Sequence, residues 1–144
     1  MTSAARSDVR PNRAPDPRLI CALDLPTVAE ARALVERTGD SVCFYKIGLQ
    51  LLASGGMELA RALKAEQHQV FLDWKLHDIG ATVEKAAAVL AGSGCDFLTV
   101  HARPQVMAAA ARGVAGSGLK VLGVTVLPSR DEADLSADDH SLGP

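Results

Sequence analysis

The sequence predicts an α/β fold built on a parallel sheet, and three observations carry that prediction. From Leu19 onward, short apolar runs alternate with amphipathic ones. The apolar runs are hydrophobic on both faces, as strands covered by helices on a parallel sheet must be. Polar residues then recur at the C-terminal end of each run, about 22–28 residues apart: Asp24, Lys46, Asp73 with Lys75, His101, and Thr125 or Ser129. That interval is the length of one βα unit. Enzymes of the (β/α)8 TIM-barrel type gather their chemistry at the C-terminal ends of several strands. The prediction is therefore this barrel type, truncated to about five βα units, because a whole barrel takes about 250 residues and the chain has 144.

Each element has a local signature. The run "LICALDL" (19–25) reads as the first strand and Pro26 ends it. A helix follows over 27–39, where Thr27 and Glu30 form a capping-box pattern and Gly39 suits the stop. "SVCFYKIG" is the second strand, and the helical stretch 49–67 is interrupted at Gly55-Gly56. The stretch "QVFLDWKLHDIG" (69–80) supplies the third strand, and a helix follows over 81–94. "CDFLTVHA" is the fourth strand, and the next helix has Pro104 in its first turn. "LKVLGVTVL" is the fifth. Residues 1–17 read as a disordered N-terminal tail and 18–144 as the partial barrel, incomplete at its C-terminus.

Composition narrows the function classes. With 15 Lys and Arg against 17 Asp and Glu, and 3% aromatic residues, neither a basic nucleic-acid footprint nor a base-stacking platform is indicated. No window has the apolar length of a membrane span, and the opening stretch lacks the apolar core of a secretion signal. Cys21, Cys43 and Cys95 have no metal-ligand spacing and read as buried, reduced thiols of a cytoplasmic protein. The turn after the first strand has no glycine, so the dinucleotide fingerprint is missing. "GVAGSG" follows a helix instead, and no phosphate-binding P-loop pattern occurs.

The chemistry concentrates in "FLDWKLHDIG" (71–80). Alternation puts Phe71, Asp73 and Lys75 on one strand face and Leu72, Trp74 and Leu76 on the other. An inward Asp–Lys pair costs desolvation. A charged lysine between carboxylates suits a reaction that builds negative charge on carbon and then needs a proton. A buried structural salt bridge is the plainer reading of Asp73 and Lys75, and a helix-start acid that of Asp78. His77 should share the side of Lys75 if the strand persists that far. His101 reads equally well as a hydrogen-bonded core histidine or a substrate contact, and His68 and His140 read as solvent-exposed.

Taken together and in order, "ALDL", "FYKIG", "FLDWKLHDIGATV", "LTVHARP" and "LGVTVL" resemble the orotidine 5'-monophosphate decarboxylase family, over roughly residues 19–135. The resemblance implies a barrel that works without metal or organic cofactor, on the nucleotide orotidine 5'-monophosphate, as a homodimer with shared active sites. It implies that Asp24 and Lys46 bind ribose hydroxyls, with Lys46 also joining the charged array. Asp73 would lie beside the substrate carboxylate, and Lys75 would stabilise and protonate the C6 carbanion. Asp78 and Thr82 would reach into the neighbouring subunit's site. Where the family has Thr or Ser after "VTVL", this chain has Pro128, with neither hydroxyl nor amide proton, and Ser129 becomes the candidate for the pyrimidine edge.

The family's phosphate clamp, which comes from the last strands of the barrel, is not in the sequence. The chain alone is therefore expected to be weakly stable or self-associating, with little activity. Rival readings are a magnesium-dependent 3-keto-L-gulonate 6-phosphate decarboxylase or hexulose-phosphate synthase, a Schiff-base aldolase using Lys75, and an inactive fragment that only dimerises. The magnesium enzymes resemble "EVG" where this chain has "KIG", so Lys46 disfavours a cation there.

Overall fold

The computed structural model describes residues 14–126, and the elements within them alternate strand and helix. The strands are β1 (Cys21–Ala22), β2 (Phe44–Gly48), β3 (Gln69–Leu76), β4 (Phe97–His101) and β5 (Lys120–Val124), and they hydrogen-bond in chain order. The helices are α1 (Val28–Thr38), α2 (Leu49–Leu52), α3 (Gly56–Ala65), α4 (Gly80–Ala91) and α5 (Pro104–Gly113), with a 3-10 turn over Gly39–Ser41. The chain forms two compact units that divide within β3, between Phe71 and Leu72.

In the first unit β1 pairs with β2 in parallel, Cys21 opposite Tyr45 and Ala22 opposite Lys46. β1 is shorter than the apolar run suggests. Even so, the Leu23 amide still donates to the Lys46 carbonyl at 2.9 Å, so the ladder outlasts the regular strand. The Gln69 amide donates to the Cys43 carbonyl at 2.8 Å where β3 begins. α1 starts as its sequence dictates: the Glu30 amide donates to Thr27 Oγ1. The return leg differs from a full capping box, because the Thr27 hydroxyl donates to the Glu30 carboxylate. Gly39 closes the helix at φ 46°, a left-handed value that glycine adopts without a side-chain clash. Gly55, at φ 104°, makes the turn into α3. Leu23, Tyr45, Ile47, Leu51, Leu59 and Leu63 are fully or almost fully buried and form this unit's core.

In the second unit β4 and β5 pair in parallel from Phe97 opposite Lys120 to His101 opposite Val124. Leu72 and Trp74 are buried on β3, with Val83, Leu98, Val100 and Val106. The indole N–H of Trp74 is the one buried side-chain donor among the described residues that has no hydrogen-bond partner. Pro104 occupies the first turn of α5, where the missing N–H costs nothing.

Two expectations need correcting. His68 is not freely solvated: its ring meets Tyr45 edge-on, with centroids 5.1 Å apart. None of the three thiols is in a disulfide; Cys95 is buried while Cys21 and Cys43 are partly exposed, and burial pushes the Cys21 thiol up. No helix among the described residues is long and apolar enough to cross a membrane. The tail assigned to 1–17 falls mostly on residues outside the described ones. Within 14–17, Asp16 accepts the Leu19 amide through its carbonyl and pairs with Arg18.

α4 and α5 pack through small residues, Ala87, Ala109 and Ala110 being buried. A Cβ on Gly113 would run into the Glu84 carbonyl and stand 2.8 Å from Ala87 Cβ. Backbone cannot yield as the end of a side chain can. Gly113→Ala is therefore expected to destabilise by about 1–3 kcal/mol, read as a drop of several degrees in the thermal midpoint. An unchanged midpoint would mean that the two helices are free to separate.

Candidate active site

Each unit contributes one carboxylate–ammonium pair at its strand ends. In the first unit, Lys46 lies in β2 between buried Tyr45 and Ile47, so its stem is drawn into the strand. Its Nζ donates to both oxygens of Asp24, at 2.9 and 3.2 Å. Asp24 follows β1 and is the more open partner, 59% exposed against 19% for the lysine. Gly48 makes this pairing possible: a Cβ there would stand 2.8 Å from Asp24 Oδ1.

In the second unit, β3 shows the alternation read from the sequence, with Leu72 and Trp74 buried and Phe71, Asp73 and Lys75 half-buried on the other face. Lys75 Nζ donates to Asp73 Oδ1 at 2.8 Å. The pair is more enclosed than Asp24–Lys46, at 27% and 17% exposure, so it is screened less by solvent. The alternation ends abruptly at Lys75, which takes φ 47° in the left-handed region. For a non-glycine residue that costs about 1–2 kcal/mol and is stable only where neighbours enforce it.

Thr99 on β4 is such a neighbour. Its Oγ1 accepts the Lys75 amide at 3.0 Å and donates to Asp73 Oδ1 at 3.0 Å. Sequence reading passed over Thr99. The available signal was a lone hydroxyl between Leu98 and Val100 in an apolar strand, the same kind of anomaly that exposed Lys46.

The remaining candidates gather at the head of α4 or lie elsewhere. Asp78 is exposed, and its Oδ1 accepts the Ile79 amide at 2.6 Å. The helix cap itself is Ile79, without a side-chain bond, so Asp78 stands one residue outside the capping position. Thr82 is exposed in the first turn of α4. His77 stacks on His101, centroids 4.6 Å apart, because the strand has ended at Leu76 and no longer sets its direction. A cavity of about 630 Å³ lies here, lined by His77, Asp78 and Ile79 on one side and Arg103 and Pro104 on the other. Pro128 and Ser129 lie outside the described residues.

Charged pairs at the C-terminal ends of parallel strands are the arrangement that enzymes of the (β/α)8-barrel class use. The chain belongs to the Orotidine 5'-phosphate decarboxylase / HUMPS family, whose model matches residues 17–142. It is 69% identical over 120 residues to an orotidine 5'-phosphate decarboxylase of Caulobacter sp. strain K31, covering 83% of this chain and 52% of that one. It is 55% identical over 130 residues to the Bradyrhizobium sp. (strain BTAi1) protein of the same name, covering 90% and 54%. The crystal structure of orotidine 5'-phosphate decarboxylase from Lactobacillus acidophilus superposes with a TM-score of 0.77 at 32% identity, over 92% of this chain and 62% of that one. The chain thus spans about half the length of the curated relatives it matches.

Gly48→Ala tests the first pair. The clash falls on the movable end of Asp24, so the carboxylate is expected to swing off Lys46 with little loss of stability, in contrast to Gly113→Ala. A crystal structure of the variant with the pair still within about 3.5 Å would contradict this.

Proposed function

We propose that this chain takes part in cofactor-independent decarboxylation of orotidine 5'-monophosphate to uridine 5'-monophosphate, a step of pyrimidine nucleotide synthesis. The observation that carries the proposal is the Lys75 ammonium held at Asp73 on a strand end, in a chain 69% identical to a relative of that name. In this reading Asp73 lies beside the substrate carboxylate. The C6–carboxylate bond breaks, its electron pair stays on C6 and carbon dioxide leaves. Lys75 Nζ then gives its proton to C6 and regains one from water. Fixed charges favour the transition state because the negative charge moves from the carboxylate, near Asp73, toward the ammonium.

Asp24 and Lys46 take the ribose hydroxyls, and Ser129 the pyrimidine edge. Asp78 and Thr82, both exposed beside the 73%-exposed Ile79, fit an enzyme that works as a homodimer with shared sites. Three cysteines outside any disulfide suit the cytoplasm. The domain reading is one partial barrel from residue 18 onward. The magnesium-dependent alternative is disfavoured by Lys46, whose ammonium already sits on Asp24.

The test is conversion of orotidine 5'-monophosphate, followed by ultraviolet absorbance. It is run on the chain and on a chimera in which the chain replaces the matching half of the Caulobacter relative. Turnover that resists a chelator and falls by about 10³-fold or more in Lys75→Ala is expected. Turnover abolished by chelation, or untouched in Lys75→Ala, would overturn the proposal.

A further inference from the structure

Thr99 lies buried on β4, at 5% exposure. A buried hydroxyl needs partners, and this one has two on the same strand. A threonine hydroxyl has one proton to give and lone pairs to receive with. Here the proton goes to Asp73 Oδ1 and a lone pair takes the Lys75 amide, both at 3.0 Å. Asp73 Oδ1 also receives Lys75 Nζ at 2.8 Å. The three groups close a ring of contacts: hydroxyl to carboxylate, carboxylate to ammonium, and the lysine's own backbone back to the hydroxyl.

The ring explains the backbone of Lys75. At φ 47° Lys75 leaves the extended backbone, and its amide takes a side-chain acceptor there. Thr99 supplies the acceptor from a side chain. Its own position is rigid, since β-branching restricts its rotamers. Leu98 and Val100 on either side are fully buried, and the strand is paired to β5 with Thr99 opposite Leu122.

We propose that Thr99 is a positioning residue: its hydroxyl holds Lys75 in the left-handed conformation that aims the ammonium, and fixes the carboxylate of Asp73 against it. The catalytic consequence rests on the decarboxylase reading, whereas the conformational one does not. Thr99 touches no substrate in this account and acts through its two neighbours.

Three variants separate the claims. Thr99→Val keeps the shape and removes the hydroxyl, Thr99→Ser keeps the hydroxyl and removes the methyl, and Thr99→Ala serves if valine does not fold. The first readout is amide hydrogen exchange at Lys75, measured by NMR on the chain itself. Exchange about tenfold faster in Thr99→Val, and close to wild type in Thr99→Ser, is expected. The second readout is the split between kcat and KM for orotidine 5'-monophosphate, measured on the Caulobacter chimera. Here kcat should fall about ten- to a hundredfold in Thr99→Val, with KM within about threefold and recovery in Thr99→Ser.

Unchanged exchange in Thr99→Val, or a Thr99→Ser variant as impaired as Thr99→Val, would overturn the positioning role. The exchange pattern on the chain, together with a Caulobacter chimera that shows no turnover, would remove the decarboxylase reading alone.

Discussion

Asp73 Oδ1 accepts both the Lys75 ammonium and the Thr99 hydroxyl, and the chemistry of the second unit depends on that shared oxygen. A half-buried carboxylate is stable only with donors close by. Two donors arriving from different strands also leave it little freedom to turn. The lysine is fixed in turn at both ends, its ammonium by Asp73 and its amide by Thr99. A non-glycine residue at φ 47° persists only where neighbours hold it, and these two bonds hold Lys75.

The first unit solves a similar problem with less enclosure. Lys46 is flanked by buried Tyr45 and Ile47 and can extend only toward the strand end, where Asp24 meets it. Room for the carboxylate comes from a missing side chain, that of Gly48. Such a pair is partly exposed, so it contributes little stability, about 0–1 kcal/mol. What the arrangement supplies is placement: two charged groups held on a strand end.

Much of this was legible in the sequence because burial on a parallel sheet forces a pattern. Strands covered on both faces must be apolar throughout, so charges inside such runs, Lys46 and Asp73 above all, stand out. Thr27, Gly39 and Pro104 act locally and could be read one by one. What was not legible depends on contacts far apart in the chain. The lone hydroxyl of Thr99 marks a position in "FLTVH", but its meaning comes from residues 24 and 26 positions earlier. The left-handed turn at Lys75 has no sequence mark, since neither glycine nor asparagine is there. The edge-on packing of His68 against Tyr45 was hidden for the same reason.

The identity of residue 75 can be argued from this geometry. An arginine could hold Asp73 as firmly, with a forked pair of donors. It would not release a proton at any ordinary pH, however, because the guanidinium stays charged. In the proposed decarboxylation a lysine gives both the positive charge that draws electrons toward carbon and the proton that finishes the reaction. Its weakness is a long flexible stem with much rotamer freedom to lose. A lysine used this way therefore needs its backbone fixed as well as its ammonium, and the Thr99 hydroxyl and the Asp73 carboxylate provide one constraint each.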